Sequence, residues 1–224
     1  MKPLEERHLA VFRRHMVEVI AIHADLSSDE IGKSTLDERV LNVMREVPRH
    51  LFVSPQIAAA AYQDMPLPIG FDKTISQPFM VAVMSDLLAL CPEDKVLEVG
   101  TGLGYQTAIL ARLAGHVWSV EIVEEFVGAA DARLKIVGID NITLRVGDGS
   151  RGWAEHAPFD KILVAAAAKA VPRPLLDQLK PGGRLVMPVG TSADQRLTLF
   201  EKGSEGVARR ELMQVRFTAL ETVV

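Results

Sequence analysis

Val96-Leu-Glu-Val-Gly100-Thr-Gly102-Leu-Gly104-Tyr105-Gln106 is the stretch from which the fold can be read. A short apolar run, Lys95–Val99, ends in three glycines at alternate positions, and a helical pattern, Tyr105–Leu113, starts directly behind them. Glycines between a strand and a helix let backbone approach a ligand and turn the helix's free N–H groups toward it. The spacing excludes two other nucleotide loops. A dinucleotide fingerprint needs a small third residue, yet that place falls on Tyr105 counting from Gly100 and on Thr107 counting from Gly102. A phosphate loop needs a Lys-Ser/Thr pair behind its glycines, and none follows here.

Beyond this loop, Val117–Glu121, Ile142–Val146 and Lys161–Val164 are further apolar runs, with a helical pattern from Glu124 to about Val137. Their spacing is that of βαβ units and predicts a parallel sheet. Leu175–Leu179 reads as a short helix, and Pro181-Gly182-Gly183 turns the chain into a run at Arg184–Pro188. Two closing strands, about Arg196–Glu201 and Val207–Phe217, are joined by a short Gly/Ser turn, which favours an antiparallel pair.

Upstream the texture is helical. Leu9, Phe12, Met16, Val19, Ile20 and Ile22 predict an amphipathic helix from about Leu4 to Ala24, broken by the polar stretch Ser27–Lys33. Thr35-Leu-Asp-Glu38 forms a capping box ahead of a stripe at Leu36, Val40, Val43, Met44 and Val47, which Pro48 ends. Ser54-Pro55 predicts a capped helix through Ala61, and Gln77-Pro78 opens another to about Leu90. Asp64–Gln77 between them has no clear period and reads as a long loop, a length often functional in compact domains. The expected architecture is α/β, a doubly wound, mostly parallel seven-stranded sheet with an antiparallel end, preceded by an N-terminal helical segment. Residues 1–90 would be that segment with a substrate loop, packed on a catalytic domain at 91–224.

The 224 residues suffice for one domain of this size, and 48% hydrophobic with 24% charged residues is the composition of a folded chain. A net charge of −4 argues against broad electrostatic capture of nucleic acid. Cys91 is the only cysteine, so neither an internal disulfide nor a multi-cysteine zinc site is available, and a cytoplasmic setting is expected. Neither a signal-peptide core nor a membrane span is expected from the hydropathy pattern. No metal site is expected: His8, His15 and His23 lie seven and eight residues apart, about two helical turns each, too far to share one ion, and they read as a solvated face. Asp148-Gly149-Ser150-Arg151-Gly152 misses the G-x-S-x-G nucleophile elbow at its first position. Cys91, behind an apolar helix, reads as buried packing.

Glu-x-Gly-x-Gly-x-Gly behind a first strand resembles the loop of class I methyltransferases, which use S-adenosylmethionine. The resemblance implies cofactor binding by Glu98, Gly100, Thr101, Gly102, Gly104 and Tyr105, with Glu98 near the cationic part. It implies that Glu121, closing the second strand, accepts from the ribose hydroxyls, and that Asp148 and Gly149 hold the adenine. A closer likeness lies in Val47-Pro-Arg-His-Leu-Phe-Val53, Tyr62-Gln-Asp64, Pro66-Leu-Pro-Ile-Gly70, Thr74-Ile-Ser-Gln-Pro78 and Gly147-Asp-Gly149. With Ala157-Pro-Phe-Asp160, Gln178-Leu-Lys-Pro-Gly-Gly-Arg184 and Pro188-Val-Gly190, these resemble the protein-L-isoaspartate O-methyltransferases in order from about Leu36 to Phe217. That family methylates the free α-carboxylate of isoaspartyl residues in damaged proteins and peptides, which are then the expected partners; oligomeric state stays open.

The resemblance makes Ser76 the residue that orients the acceptor carboxylate, with Thr74, Ile75, Gln77, Ala166 and Ala167 around the substrate. Read by itself, Ser76 also fits a cap for the helix at Pro78, and Ala165–Ala168 fits plain tight packing as well as close approach of a substrate backbone. Alternatives of another class are a methyltransferase for a different carboxylate or small molecule, and a cofactor-binding protein without catalysis. Leu103, Lys169, Ala219 and an insertion at about Ile20–Lys33 depart from the family pattern.

Overall fold

The computed structural model describes residues 6–223. Helix α1 (Glu6–Leu26) buries Leu9, Arg13, Met16, Val17, Ile20 and Ala24; its predicted start at Leu4 lies outside the described residues. The stripe is rotated from the expected one, since Phe12 and Ile22 face outward and Val17 and Ala24 inward. The polar stretch is a single helical turn, α2 (Ser28–Ile31), closed by Gly32 in the left-handed region at φ 80°.

Helix α3 (Glu38–Glu46) is capped by Asp37, whose carboxylate accepts the Arg39 amide at 2.8 Å, and not by the expected box at Thr35. Asp37's own amide is taken at 2.6 Å by Asp86 from below, which fixes the start of the helix there. The Ser54-Pro55 signal yields a 3₁₀ segment, Pro55–Ala60, with Pro55 at the first position but no side-chain cap from Ser54, and an unexpected 3₁₀ segment, Arg49–Phe52, precedes it.

The supposed loop 64–77 holds a hairpin, β1 (Leu67–Gly70) against β2 (Lys73–Ile75). Phe71 and Asp72 both sit at positive φ (51° and 54°), the backbone of a tight two-residue turn that Asn-Gly would normally announce. Helix α4 (Pro78–Leu87) is buried on all sides and ends three residues earlier than expected.

The sheet then builds as predicted except that β7 begins ahead of the expected turn: β3 (Lys95–Val99), α5 (Tyr105–Leu113), β4 (His116–Glu121), α6 (Glu124–Ile136), β5 (Ile142–Val146), β6 (Phe159–Val164), α7 (Arg173–Gln178), β7 (Leu179–Gly190), β8 (Gln195–Lys202) and β9 (Val207–Val215). Strand order is β5-β4-β3-β6-β7-β8-β9. β5 to β7 are parallel, while β8 and β9 run antiparallel. Pro181-Gly182-Gly183 lies within β7 as an irregularity: Phe159 faces Leu179, but Lys161 faces Arg184.

Side chains alternate between two covered faces. Val96, Val117, Leu163 and Val186 join α1, α3, α4, α5 and α6 in one core. Leu97, Val99, Ile162, Val164, Leu185 and Met187 join Trp153 and Leu175 of α7 in the other. The chain leaves β3 toward β4 on one side and later returns to β6 on the other, so the order reverses at β3. In open α/β sheets the crevice at that reversal, beyond the strands' carboxyl ends, is where ligands bind.

Candidate active site

A cleft opens at that crevice. Its walls include Gly100, Thr101, Gly102 and Tyr105 after β3, Glu121 after β4, Gly149 after β5 and Ala166 after β6. Thr74, Ile75 and Ser76 close it from the hairpin side. Two glycines in the wall resist a side chain, Gly102 by its left-handed backbone and Gly149 by its neighbour. Gly102 has φ +53° and a Cβ there would stand 3.3 Å from Ile69 Cδ1; a Cβ on Gly149 would stand 2.3 Å from Val99 Cγ1.

Glu121 braces the loop. One carboxylate oxygen accepts the Gly102 amide at 2.8 Å; the other accepts the amides of Ile122 at 2.8 Å and Val123 at 3.0 Å. A carboxylate has about four acceptor sites, so one remains for a ligand hydroxyl.

Glu98 does not line the cleft, contrary to the expectation of direct contact. It is fully buried beneath the loop, where Oε2 accepts the hydroxyls of Thr107 at 2.5 Å and Ser119 at 2.6 Å. Ser119's hydroxyl in turn lies 2.5 Å from that of Thr101 in the cleft wall, and while Glu98 is ionised and takes Ser119's proton, Thr101 is the donor of that bond. Glu98 therefore reaches the cleft only through Ser119 and Thr101. Burial pushes its carboxyl up to about 7, helped by the charge of Glu121 and opposed by the two hydroxyl bonds.

Asp148 is likewise not in the lining. Its Oδ1 accepts the Ser150 amide at 2.9 Å and hydroxyl at 2.7 Å, and Oδ2 accepts the Val223 amide at 3.2 Å. Burial pushes this carboxyl up, but those bonds and Arg151 outweigh it, and it lies below the usual aspartate range. Gly104 also misses the cleft and serves as the left-handed N-cap of α5 at φ 96°. Ala167 pairs its backbone with the chain's own tail: its amide donates to Thr218 at 2.8 Å and its carbonyl accepts from Leu220 at 2.7 Å. That carbonyl and amide are not open to a substrate backbone.

Ser76 stands where the first cleft meets a second, wider groove, and Thr74 and Thr218 share that junction. Gln77 lines the second groove only. The capping role is taken by another residue: Gln77 is the N-cap position, without a side-chain cap, and Asp64 Oδ1 accepts the Phe79 amide at 2.8 Å. Ser76's carbonyl is held at 2.7 Å by Nη2 of Arg49, a wholly buried guanidinium whose Nε also donates to the Ala61 carbonyl at 2.8 Å. Tyr105's ring lies 4.8 Å below that guanidinium, and burial lowers the Arg49 pKa to about 10.

Sequence reasoning missed Arg49, Asp64 and the tail wall Thr218–Glu221, in which Glu221 pairs with Lys73 of β2. An arginine inside the apolar run Val47–Val53 was the one available signal for the first. Cys91, expected buried, is exposed. His23 leaves the solvated face expected of it, stacking on Phe79 and meeting Asp64. Among the described residues there is no cluster fit to hold a metal ion, and no helix long and apolar enough to cross a membrane.

The family model described as protein-L-isoaspartate(D-aspartate) O-methyltransferase matches residues 23–223. Protein-L-isoaspartate O-methyltransferase 1 of Polaromonas sp. is 52% identical over 97% of this chain and 93% of its own length. Protein-L-isoaspartate O-methyltransferase 2 of Syntrophobacter fumaroxidans is 52% identical over 93% of this chain and 85% of its own. A solved protein-L-isoaspartate O-methyltransferase superposes with a TM-score of 0.78 at 26% identity, covering 92% of this chain and 65% of that one. A Plasmodium falciparum protein solved with S-adenosyl-L-homocysteine shares the fold, with a TM-score of 0.77 at 24% identity over 93% of this chain and 98% of that one.

Proposed function

Since the chain belongs to the protein-L-isoaspartate(D-aspartate) O-methyltransferase family, we propose that it methylates the free α-carboxylate of L-isoaspartyl residues in proteins and peptides, and that Ser76 orients that carboxylate. The observation that carries the reading is the position of Ser76 at the junction of cleft and groove, its capping duty taken by Asp64. The cofactor is S-adenosylmethionine, and when bound it supplies a methyl group on an activated sulfonium leaving group. The cleft fits it: Gly102 and Gly149 bring bare backbone to its wall, Glu121 keeps an acceptor for a ribose hydroxyl, and Ile122 and Phe126 give apolar wall to a flat ring.

The chemistry asks little of the protein. A carboxylate with an ordinary pKa near 4 is already ionised at neutral pH, so no general base is needed. Rate comes from in-line placement of the acceptor oxygen. Ser76's hydroxyl donates to one carboxylate oxygen and leaves the other to attack. Arg49 holds the Ser76 backbone from behind. The later closure of the ester to a succinimide, with loss of methanol, calls on no group of this chain. We read residues 1–90 as the acceptor side of the molecule and 91–224 as the cofactor side, working in the cytoplasm, where the lone Cys91 stays reduced.

The test is transfer of labelled methyl from S-adenosylmethionine to paired peptides that differ only in aspartyl or isoaspartyl linkage. Label in the isoaspartyl member alone is the expected result. Equal labelling of both, or of neither while S-adenosylhomocysteine still binds, overturns it.

A further inference from the structure

His23 belongs to α1, more than fifty residues before Ser76, yet its ring stands in the wall of the second groove with Thr74, Ser76 and Gln77. Two contacts fix that ring. Phe79 stacks on it, centroids 4.0 Å apart and planes 12° from parallel. Nδ1 lies 3.0 Å from Asp64 Oδ2. An ionised carboxylate only accepts, so Nδ1 carries the hydrogen of that bond, and Nε2 of the neutral ring presents a lone pair. Among the described residues nothing bonds to Nε2, and 40% of the side chain is open.

The support is built rather than incidental. Asp64's side chain is one-tenth exposed and gathers three donors: His23, Gln77 Nε2 at 3.0 Å and the Phe79 amide at 2.8 Å. One carboxylate therefore sets both the first turn of α4, directly behind Ser76, and the orientation of an imidazole across the groove. An ordered, outward-facing acceptor is complementary to an N–H donor. The acceptor substrate, if it is a polypeptide, brings backbone N–H groups into the groove; a simple carboxylic acid does not.

We propose that His23 is a substrate-binding residue: its Nε2 accepts a backbone N–H of the isoaspartyl polypeptide and sets the path of that chain past Ser76. This rests on the acceptor reading above and adds to it the group that separates a polypeptide from a small carboxylate.

The experiment uses the full chain and isoaspartyl peptides N-methylated at one backbone position at a time, assayed at alkaline pH. For wild type, N-methylation at one particular position raises KM roughly tenfold, the effect of about one lost hydrogen bond. His23→Ala raises KM for the unmodified peptide by a similar factor, changes kcat less than about threefold, leaves S-adenosylhomocysteine affinity unchanged and no longer discriminates that N-methyl peptide. His23→Gln, which keeps an acceptor at similar reach, recovers part of the KM and carries the test if His23→Ala does not fold. An unchanged KM in a folded variant, or full discrimination of the N-methyl peptide by both variants, overturns the assignment. So does a fall in kcat and cofactor affinity together, which marks a structural role. Failure of wild type itself to distinguish isoaspartyl from aspartyl peptide instead sinks the acceptor reading and this inference with it.

Discussion

Ser76→Ala removes one hydroxyl and leaves the start of α4 intact, because Asp64, not position 76, takes the Phe79 amide. The expected variant keeps its denaturant midpoint within about 0.5 kcal/mol of wild type and its affinity for S-adenosylhomocysteine. Its kcat/KM for an isoaspartyl peptide falls roughly tenfold to a thousandfold, the range for one lost positioning donor. Full activity per folded molecule would remove Ser76 from the mechanism. Glu121→Ala should weaken S-adenosylhomocysteine by about 1.5–3 kcal/mol in calorimetric titration, since it strips the brace from Gly102 together with the acceptor proposed for a ribose hydroxyl. Glu98 gives a pH signature. Its folded pKa, pushed up to about 7 from 4.5, means the native state holds the proton longer than the unfolded chain does. Stability is then highest, as far as this group is concerned, below about 4.5 and is lost as pH rises through about 7. Glu98→Gln should flatten the dependence of denaturant midpoint on pH across that window; an unchanged slope would place the titration elsewhere. Gly100, Gly102, Glu121 and Ser76 could be found in the sequence because glycines between strand and helix, strand-end carboxylates and a family pentapeptide all leave local marks. The partners of Glu98 and Asp148 could not be found, because they are set by Ser119, 21 residues away, and by Val223, 75 residues away.

For elements, the strands of the sheet were legible to within two residues for all but β7, because runs buried on both faces are apolar throughout. The hairpin at 67–75 was hidden. Pro68, Gly70 and an exposed Phe71 obscure its alternation, and its turn places Phe-Asp where positive φ favours Asn-Gly. The cap of α3 was misplaced because Thr35 and Asp37 both qualify locally and only Asp86, from α4, decides between them. Arg49 ties the first 3₁₀ segment to the hairpin exit. Arg49→Met leaves the buried carbonyls of Ala61 and Ser76 without their donor, at about 1–3 kcal/mol each. Relief of a desolvated cation offsets part of this, so a net loss of about 2–4 kcal/mol is expected from urea unfolding. Activity per folded molecule should fall too, because Ser76 loses its backbone anchor. A variant as stable and as active as wild type would show that the guanidinium anchors nothing.

In the whole molecule, reversal of strand order at β3 and the two-sided core place the cleft, and both follow from the succession of βα units that the sequence displays. What the sequence does not display is that Thr218–Glu221 cross back over the crevice, pairing with Ala167 and Lys73. Removal of everything after Phe217 should leave the far-ultraviolet dichroism nearly unchanged and weaken S-adenosylhomocysteine at least tenfold in calorimetry; wild-type affinity in the shortened chain would make this segment a bystander.

That wall has a consequence for biosynthesis. The hairpin side of the cleft, residues 69–76, leaves the ribosome long before residues 218–221 that face it. At about 5–20 residues per second the interval is roughly 7–30 s. During it the nascent chain can assemble α4, β3 and the glycine turn but has no complete cradle, so the ligand lends it less of the mass-action stabilisation the finished enzyme enjoys. The parallel strands must therefore hold together mainly through their own burial, which gives a selective reason for α4, made before every strand of the large sheet, to be buried along its whole length.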